Sequence, residues 1–382
     1  MKKNVILALT ILLTPFLNGC WDSIEPESMV YGNGIGVDYK NGQYHFYTQI
    51  INLGKIAKSE SAGGVEQIQE EIGHASGPDV DQALKNLYKS TQRRIYWGHI
   101  KFVVLTEEAL RKSSLRQLID LLNRYREFRY RIFVVSTKEP LNKILLSPPE
   151  LEMSTALTKL SEPMSNFNQD SVIPPMNMRE LQIGLNEPVN QAIIPMISIV
   201  DEKWESREKK RIALKYNGAA IMTGNQLKGF ITNKDMLGFR WILEESKRME
   251  IFVGKNGKPA ALIVVEHPKA SIKPIVRNEK VTFDITIKAP GTLTEMDQEV
   301  NESYLIQEIK KSIQNDIKRT YEKGLKINAD VYKLSEILYR KNIKVWKKIE
   351  HKGRIPLQKN SIVLHVKTEI TNSGKTQNTP SL

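Results

Sequence analysis

The sequence predicts a multi-domain α+β protein, with about three mixed sheets and packed helices behind an N-terminal lipoprotein signal peptide. The chain has 382 residues, which suggests two or three folding units at about 150 residues each. Its 40% apolar and 26% charged residues support real cores and exclude a wholly disordered or collagen-like chain. The last third runs as strands, then helices, then a strand, which is typical of the α+β class.

The first twenty residues predict export and lipidation. A short positive start, Met1–Lys3, precedes an apolar run of about 13 residues, Val5–Leu17, whereas a membrane-spanning helix needs about 20. The run ends in Leu17-Asn18-Gly19-Cys20, with a branched apolar residue three positions before the cysteine and a small residue directly before it. This order matches the bacterial lipobox. We therefore predict that residues 1–19 are a signal peptide and that Cys20 carries an S-diacylglycerol and an N-acyl chain such as palmitate.

The rest of the chain is expected to be an exported body held by this anchor at the outer face of the cell membrane. Two acyl chains give stable attachment, because each buried methylene adds about 0.8 kcal/mol. The best other apolar stretch, Ala261–Val265, has five residues, which is far too short to span. The chain has one cysteine, which excludes an internal disulfide and a Cys-rich zinc site. The net charge of +13 suits an anionic partner, but export makes nucleic acid an unexpected one.

The predicted N-terminal α+β domain covers residues 20–195. Strands are expected at 29–31, 35–39 and 44–51, with an Asn41-Gly42 hairpin turn before the third, and residues 54–78 are expected to form a loop. A helix over 79–91, a strand over 100–105, a helix capped by Thr106 and a strand over 130–136 follow. The strand–helix–strand order predicts one right-handed parallel crossover. Proline is dense in residues 147–195 and does not fit a strand interior, so this region is expected to be a linker that wraps short helical pieces.

A middle β-rich domain is predicted over residues 196–265 and a C-terminal α+β domain over 266–372. The middle domain has hairpin turns at 223–226 and at Asn256-Gly257, with a short helix over 235–245 between them. In the C-terminal domain, alternating apolar residues over 281–287 predict a strand with one wet face. Apolar residues at steps of four predict a long amphipathic helix: Leu305, Ile309, Ile313, Ile317 and Tyr321. Helical turns over 329–339 and 343–349, a closing strand over 362–370 and a flexible tail over 373–382 complete the prediction.

No segment carries a recognisable catalytic, cofactor or metal motif. Gly32-Asn33-Gly34-Ile35-Gly36 lacks the last glycine of a dinucleotide loop, where Val37 stands, and strand residues follow it. A bend or bulge in a strand is therefore the better interpretation. Phosphate-binding and nucleophile-elbow motifs are absent, and the six histidines form no H-x-x-x-H pair. We predict no enzymatic activity, no cofactor and no bound metal.

Two basic tracts and one aromatic position leave alternatives open. Residues 85–131 and 303–354 are rich in Lys and Arg, which indicates either solvated helix faces or attraction to anionic lipid headgroups or an acidic partner. Trp97 and His99 are candidates for a contact patch, whereas core packing is the commoner fate of a Trp beside a buried strand.

Short motifs occur in order along nearly the whole predicted mature chain. They are Cys20-Trp21-Asp22 with Glu25, Gly34-Ile35-Gly36-Val37-Asp38, Tyr96-Trp97-Gly98-His99-Ile100-Lys101, Gly218-Ala219-Ala220-Ile221 with Leu227 and Gly229, and Asn328-Ala329-Asp330-Val331 with Trp346. The ordered set resembles the Ger(x)C family, the C-subunit lipoproteins of nutrient germinant receptors in spore-forming bacteria.

The resemblance implies a three-domain α+β lipoprotein without enzymatic activity on the outer face of the spore inner membrane. It would act with a membrane-embedded A subunit and a transporter-like B subunit, and the spore germination response to nutrients such as amino acids or sugars would require it. Trp97, His99 and Asp330 are the candidate interaction residues within its motifs. Whether this chain itself binds a small molecule stays open.

Two other interpretations are kept. A solute-binding lipoprotein that feeds a transporter would be expected to show several βαβ repeats in two lobes. An exported hydrolase would require a nucleophile beside a base, and no residue order in the chain indicates one.

Overall fold

The computed structural model describes residue 3 and residues 28–52, 70–112, 114–149, 158–187, 189, 191–205, 210–243, 245–277 and 280–372. The predicted lipidation site, Cys20, and the predicted tail, 373–382, lie outside the described residues.

The first part of the described chain contains ten strands and six helices. In order they are β1 Met29–Lys40, β2 Gln43–Ile51, β3 Glu70–Gly77, α1 Val80–Tyr88, β4 Arg94–Tyr96, β5 Phe102–Thr106, α2 Glu107–Arg111, α3 Ser114–Arg124, β6 Phe133–Thr137, α4 Leu141–Leu145, α5 Pro163–Gln169, β7 Met176–Asn177, α6 Met178–Asn186, β8 Gln191–Glu205, β9 Lys210–Thr223 and β10 Gln226–Thr232. The helix predicted after Thr106 is thus two helices, α2 and α3.

These strands form one mixed sheet in the order β10-β9-β8-β6-β5-β1-β2-β3, with β4 paired to β1 and β7 paired to β6. The predicted parallel crossover is confirmed for β5 and β6. Three further parallel pairs, β1–β4, β1–β5 and β6–β8, go beyond the prediction. Each joins strands that are separated in the chain by other elements, so local periodicity does not reveal the pairing.

The sheet departs from the sequence prediction at β3 and at a proline inside β8. β3 lies within residues 54–78, predicted as a loop, and pairs with β2 at the sheet edge. Its polar sequence, EEIGHASG, lacks the apolar alternation that marks a half-buried strand. Pro195 lies inside β8, contrary to the expectation that proline would stay out of strands. The β6 ladder reaches only Met196 and Ile197 of β8, so the missing N–H falls where that ladder has ended.

The strands β8 and β9 are buried on both faces. One face contributes to the core shared with the helices of the first part: Ala192, Ile194, Ala220 and Met222. The other contributes to the core of the C-terminal part: Ile193, Ala219 and Ile221. The predicted boundary at residue 195 falls within β8, and the division of the chain into three domains stays a prediction.

The second part contains a 3-10 turn at Asn233–Met236, two smaller sheets and four α-helices among its described residues. The elements are α7 Phe239–Ile242, β11 Arg248–Lys255, β12 Lys258–Glu266, β13 Lys269–Arg277, β14 Lys280–Lys288, β15 Gly291–Met296, α8 Glu302–Lys326, α9 Leu334–Lys341, α10 Ile343–Ile349, β16 Ile362–Lys367 and β17 Ile370–Asn372, with a 3-10 turn at Lys359–Ser361. The helix predicted over 235–245 is the first 3-10 turn followed by α7. One sheet has the order β11-β12-β15-β17, and the other has the order β13-β14-β16.

Two features of the second part that depend on local pattern are confirmed, whereas the helix predicted over 329–339 begins only at Leu334. The predicted stripe of α8 is buried from Leu305 to Tyr321 in the core of this part. The Asn256-Gly257 turn has positive φ angles of 55° and 75° at its two residues, which suits a tight hairpin between twisted strands. The Asn41-Gly42 turn of the first part has the same form, with φ angles of 51° and 79°.

Candidate functional site

The predicted motif Tyr96-Trp97-Gly98-His99 lies beside the point where the described chain begins. β4 pairs with the start of β1, so that Met29 is opposite Arg94 and Tyr31 is opposite Tyr96. Cys20 itself is outside the described residues, but only seven residues separate it from Ser28, the first residue of this described stretch. The motif is therefore at the end of the body from which the chain runs toward the predicted anchor.

Trp97 is a core residue, with 2% of its surface exposed. Its Nε1 donates a hydrogen bond to the Tyr88 hydroxyl at 2.8 Å, and its ring packs against Phe46 and Phe128 at centroid distances of 6.2 and 5.8 Å. Its backbone N–H donates to Glu127 Oε2 at 2.9 Å. The core-packing interpretation of Trp97 fits this geometry, and a direct contact with a partner would require another residue.

His99 lies two residues further on and is exposed. Its ring forms an edge-to-face group with Tyr31 and Tyr96, at centroid distances of 5.3 and 5.7 Å. Burial of part of the ring lowers the pKa of His99, and the charges of Lys101 and Arg129 lower it further. His99 is therefore mainly neutral at neutral pH. A role for His99 in partner binding stays a prediction, and the structure leaves its side chain accessible for one.

The glycine-rich stretch of β1 is a bulge in a strand, as the sequence indicated. The register against β2 shifts between Gly32 and Gly34, and a side chain at Gly34 would collide with the ring of Phe102. Asn33, in the bulge, donates from Nδ2 to Gln49 Oε1 at 2.7 Å. Gln49 Nε2 in turn donates to the Leu145 carbonyl at 2.6 Å and to Glu70 Oε2 at 2.8 Å. A buried polar chain thus runs from the bulge to the edge strand β3.

Glu70 at the end of this chain should make stability depend on pH. Burial raises the pKa of Glu70 from 4.5 to about 7. The folded state holds the Glu70 proton more tightly than the unfolded state does. The stability that comes from this proton is therefore fully present below about pH 4.5 and is lost as pH rises through about 7. We expect wild type to lose about 1–2 kcal/mol of unfolding free energy from this group between pH 5 and pH 8, after allowance for partial exposure.

Urea unfolding of wild type and of Glu70→Gln at pH 5, 6, 7 and 8 measures this dependence. The substitution should flatten the pH profile, because glutamine has no proton to lose. Glu71→Gln, at the exposed neighbouring position, is the matched control and should leave the profile unchanged. Parallel profiles for wild type and Glu70→Gln would contradict the assignment.

Asp38, the last residue of the Gly-Ile-Gly-Val-Asp motif, fastens β1 to β5 and α2. Its Oδ1 accepts a hydrogen bond from Thr106 Oγ1 at 2.5 Å, and Lys40 Nζ lies 2.8 Å from its Oδ2. Burial raises the pKa of Asp38, but the hydrogen bonds from Lys40, Thr106 and the Tyr39 N–H outweigh burial and leave the pKa below its usual range. Thr106 is also the N-cap of α2, where its Oγ1 accepts from the Ala109 N–H.

Asp330, the third predicted interaction residue, is buried at a junction between the two parts of the molecule. Its carboxylate accepts the backbone N–H groups of Leu334 and Ser335 at 2.9 and 2.6 Å and so caps α9. The Gln191 side chain bonds the Asp330 backbone twice, donating to its carbonyl at 2.6 Å and accepting from its N–H at 3.2 Å. Burial raises the pKa of Asp330, and the two N–H donors oppose this. Its environment gives Asp330 a structural role at this junction.

A second buried polar network joins α8 to α7 and was not predicted from the sequence. Asp316 Oδ2 lies 3.1 Å from Arg240 Nη2 and accepts a hydrogen bond from Trp241 Nε1 at 3.1 Å. Close by, Thr320 Oγ1 accepts the Gly238 N–H at 2.8 Å. Asp316 and Thr320 are four residues apart on the otherwise apolar face of α8. This spacing of two polar residues could have indicated the network from the sequence.

A cleft of about 660 Å³ lies between the two parts. Its charged and polar lining includes residues of α6, β8, β13 and α9 and of the loops beside them: Glu180, Gln191, Glu245, Ser271, Lys333, Glu336 and Lys341. The Lys341 ammonium already donates to the Ile272 carbonyl at 2.8 Å. The lining thus carries charges of both signs.

Two absences among the described residues concern metal binding and membrane crossing. Within them, no three or more His, Cys, Asp or Glu side chains are grouped so that they could hold a metal ion. In the same part of the chain, no helix has the length and apolar character needed to cross a membrane.

The fold and the motifs together define the class of this protein. It is a multi-sheet α+β protein whose motif residues connect separate structural elements. The chain belongs to the GerAC-like family of spore germination proteins. The family described as "Spore germination protein N-terminal domain" matches residues 22–199, and the family described as "Spore germination B3/GerAC like, C-terminal" matches residues 217–374. This confirms the resemblance found in the sequence and gives the chain a germination-related role.

Individual relatives support the same assignment over nearly the whole chain. Spore germination protein KC of Bacillus subtilis is 24% identical over 372 residues, covering 92% of this chain and 91% of that protein. Spore germination protein B3 of the same organism is 23% identical over 367 residues, covering 92% of each chain. The crystal structure of the GerBC protein matches with a TM-score of 0.52 at 18% identity, covering 89% of this chain and 96% of that one, which confirms the α+β multi-sheet fold.

Proposed function

We propose that this chain is a lipid-anchored, non-enzymatic subunit of a nutrient germinant receptor, and that germination in response to nutrients requires it. In this proposal Cys20 holds it to the outer face of the spore inner membrane, beside a membrane-embedded A subunit and a transporter-like B subunit. The supporting observation is the combination of the Leu17-Asn18-Gly19-Cys20 lipobox with membership of a spore germination family along the rest of the chain.

The short connection to Cys20 supports a role in assembly. Eight steps along the chain from Cys20 to Ser28 can span at most about 30 Å, even when fully extended. An anchor at Cys20 would therefore keep the body within that distance of the bilayer and raise its effective concentration beside any membrane partner. A modest interface then suffices for assembly, since binding becomes an intramolecular event.

The junctions of the fold suit a coupling role better than chemistry. Asp330 and Gln191 connect the strand β8 to the helix α9, and Asp38 connects β1 to α2. Contacts of this kind hold separate elements in one arrangement, which a subunit that passes a response between partners needs. In the part of the chain that the structure describes, the motif residues form no catalytic constellation.

A solute-binding lipoprotein is the second candidate, and the cleft of about 660 Å³ is the observation that favours it. The topology opposes it. The parallel strands β1, β5, β6 and β8 follow one another in sheet order without reversal, so they create no switch-point crevice of the kind that binds ligands in open α/β sheets. Thermal unfolding with amino acids and sugars at 10 mM separates the candidates, because a bound ligand raises the unfolding temperature.

Co-isolation tests the receptor proposal directly. A tagged chain extracted from spore membranes in mild detergent should bring down two membrane proteins, one with many spans and one resembling a permease. An unrelated tagged lipoprotein from the same membranes is the control and should bring down neither. Recovery of the tagged chain alone, in detergents that keep other membrane complexes intact, would contradict the proposal.

A further inference from the structure

The outward face of the sheet formed by β13, β14 and β16 is strongly basic. Its inward face, which includes Phe283, Ile285 and Ile287, is buried in the core, so alternate residues point to solvent. Among the outward residues, six cations are exposed: Lys269, Lys273, Arg277, Lys280, Lys288 and Lys367. The acid at the paired outward positions is Asp284, which lies 3.3 Å from His365 Nε2. The whole chain has a far more even balance, with 56 Lys and Arg to 43 Asp and Glu.

The strand register places like charges beside one another. Lys269 is paired with Lys288, and Lys288 is paired with Lys367, so three lysines form a row across the three strands. Arg277 and Lys280 are also paired. Neighbouring strands are only about 4.8 Å apart, and like charges directly opposite each other destabilise a sheet. Within the described residues, no carboxylate forms an ion pair with any of these five cations. The row of Lys269, Lys288 and Lys367, here called the lysine row, is thus free to meet an external anion.

We propose that the lysine row docks this sheet face onto the anionic phosphate headgroups of a membrane surface. The proposal rests on the proposed membrane anchor, which would keep such a surface within reach. Ile275 and Val363 stand exposed among the cations, at 36% and 47%. Lysine stems and exposed aliphatic groups suit a headgroup layer, where the ammonium groups meet phosphates and the apolar atoms lie against the lipid.

Vesicle binding by the unlipidated chain, residues 21–382, tests the proposal without the anchor. This chain contains every strand and helix described above. We expect it to bind vesicles of equal parts phosphatidylcholine and phosphatidylglycerol in 50 mM salt, and to bind pure phosphatidylcholine at least tenfold more weakly. Each lysine near an anionic surface contributes about fivefold, so Lys269→Gln, Lys288→Gln and Lys367→Gln together should weaken binding roughly a hundredfold. Binding should also fall at 300 mM salt, because salt screens the attraction.

A charge-matched variant controls for net charge. Lys85, Lys143 and Lys318 are exposed and lie on helices rather than on the outward face of this sheet, so replacing all three with glutamine should weaken vesicle binding much less. Thermal unfolding of the lysine-row variant should occur at or above the wild-type temperature, since the substitution relieves repulsion, and this shows that it is folded. Equal losses in the two triple variants, or wild-type binding by a folded lysine-row variant, would overturn the proposal. If a folded lysine-row variant binds vesicles as wild type does, an acidic protein would become the better candidate partner of the lysine row. Neither of these results depends on the anchor or on germination. A failure of the docking proposal can therefore be distinguished from a failure of the proposed function.

Discussion

Replacing Cys20 with alanine should release the protein from the membrane and abolish or greatly reduce germination in response to nutrients. Without the thiol there is no diacylglycerol, and the predicted body has no second segment of spanning length. A protein with two acyl chains stays stably attached, whereas a protein without acyl chains binds the membrane surface only weakly. The membrane-bound fraction should therefore fall by more than tenfold. Fractionation of spore lysates with an antibody to the chain measures this, together with germination in nutrient medium.

Gly19→Ala is the matched control for this prediction. It changes the residue beside Cys20 but keeps it small, so processing and lipidation should continue. Germination triggered by a route that bypasses nutrient receptors should be normal in the Cys20→Ala spores, which separates loss of the receptor from a general defect. A Cys20→Ala protein that stays in the membrane fraction at the wild-type level would contradict the anchor.

The substitution Asp316→Ala should lower the free energy of unfolding by about 3–5 kcal/mol. Asp316 and Arg240 keep only 8% and 11% of their side-chain surfaces exposed, so removing the carboxylate leaves the guanidinium buried without its counter-charge. The Trp241 Nε1–H loses its acceptor at the same time. The measurement is equilibrium unfolding in urea, followed by tryptophan fluorescence.

Glu322→Ala on the same helix provides the comparison for Asp316→Ala. Glu322 pairs with Lys359 at 3.6 Å but has 45% of its side chain exposed, and surface pairs of this kind contribute at most about 1 kcal/mol. If Asp316→Ala costs no more than Glu322→Ala, the buried network does not hold α7 against α8 in the way described.

The elements that were predictable from sequence are those fixed by neighbours in the chain. The Asn-Gly turns need two residues with positive φ, and the stripe of α8 from Leu305 to Tyr321 repeats every turn, so both are visible in a short window. The edge strand β3 and the pairing of β1 with β5 depend on partners far along the chain. Pairing is set by the three-dimensional arrangement, and no local pattern in EEIGHASG announces it.

The residues of the candidate site likewise divide into features that a local motif predicts and features that depend on distant parts of the chain. Trp97 and His99 belong to one recognisable motif, but the turn at Gly98 sends one side chain into the core and leaves the other exposed. The two-way bond between Gln191 and Asp330 joins residues 139 positions apart, and an Asp in a motif does not reveal whether it caps a helix or meets a partner. The lysine row required the register of three strands, because its members lie in three separate segments.

Because β8 and β9 contribute to two cores at once, we expect that neither the N-terminal nor the C-terminal part of the chain folds stably alone. A nonsense mutation shortly after residue 200 would leave β8 without β9 and would uncover Ile193 and its neighbours to water. We expect the shortened product to be destroyed by cellular proteases rather than to persist as a half-active or interfering fragment.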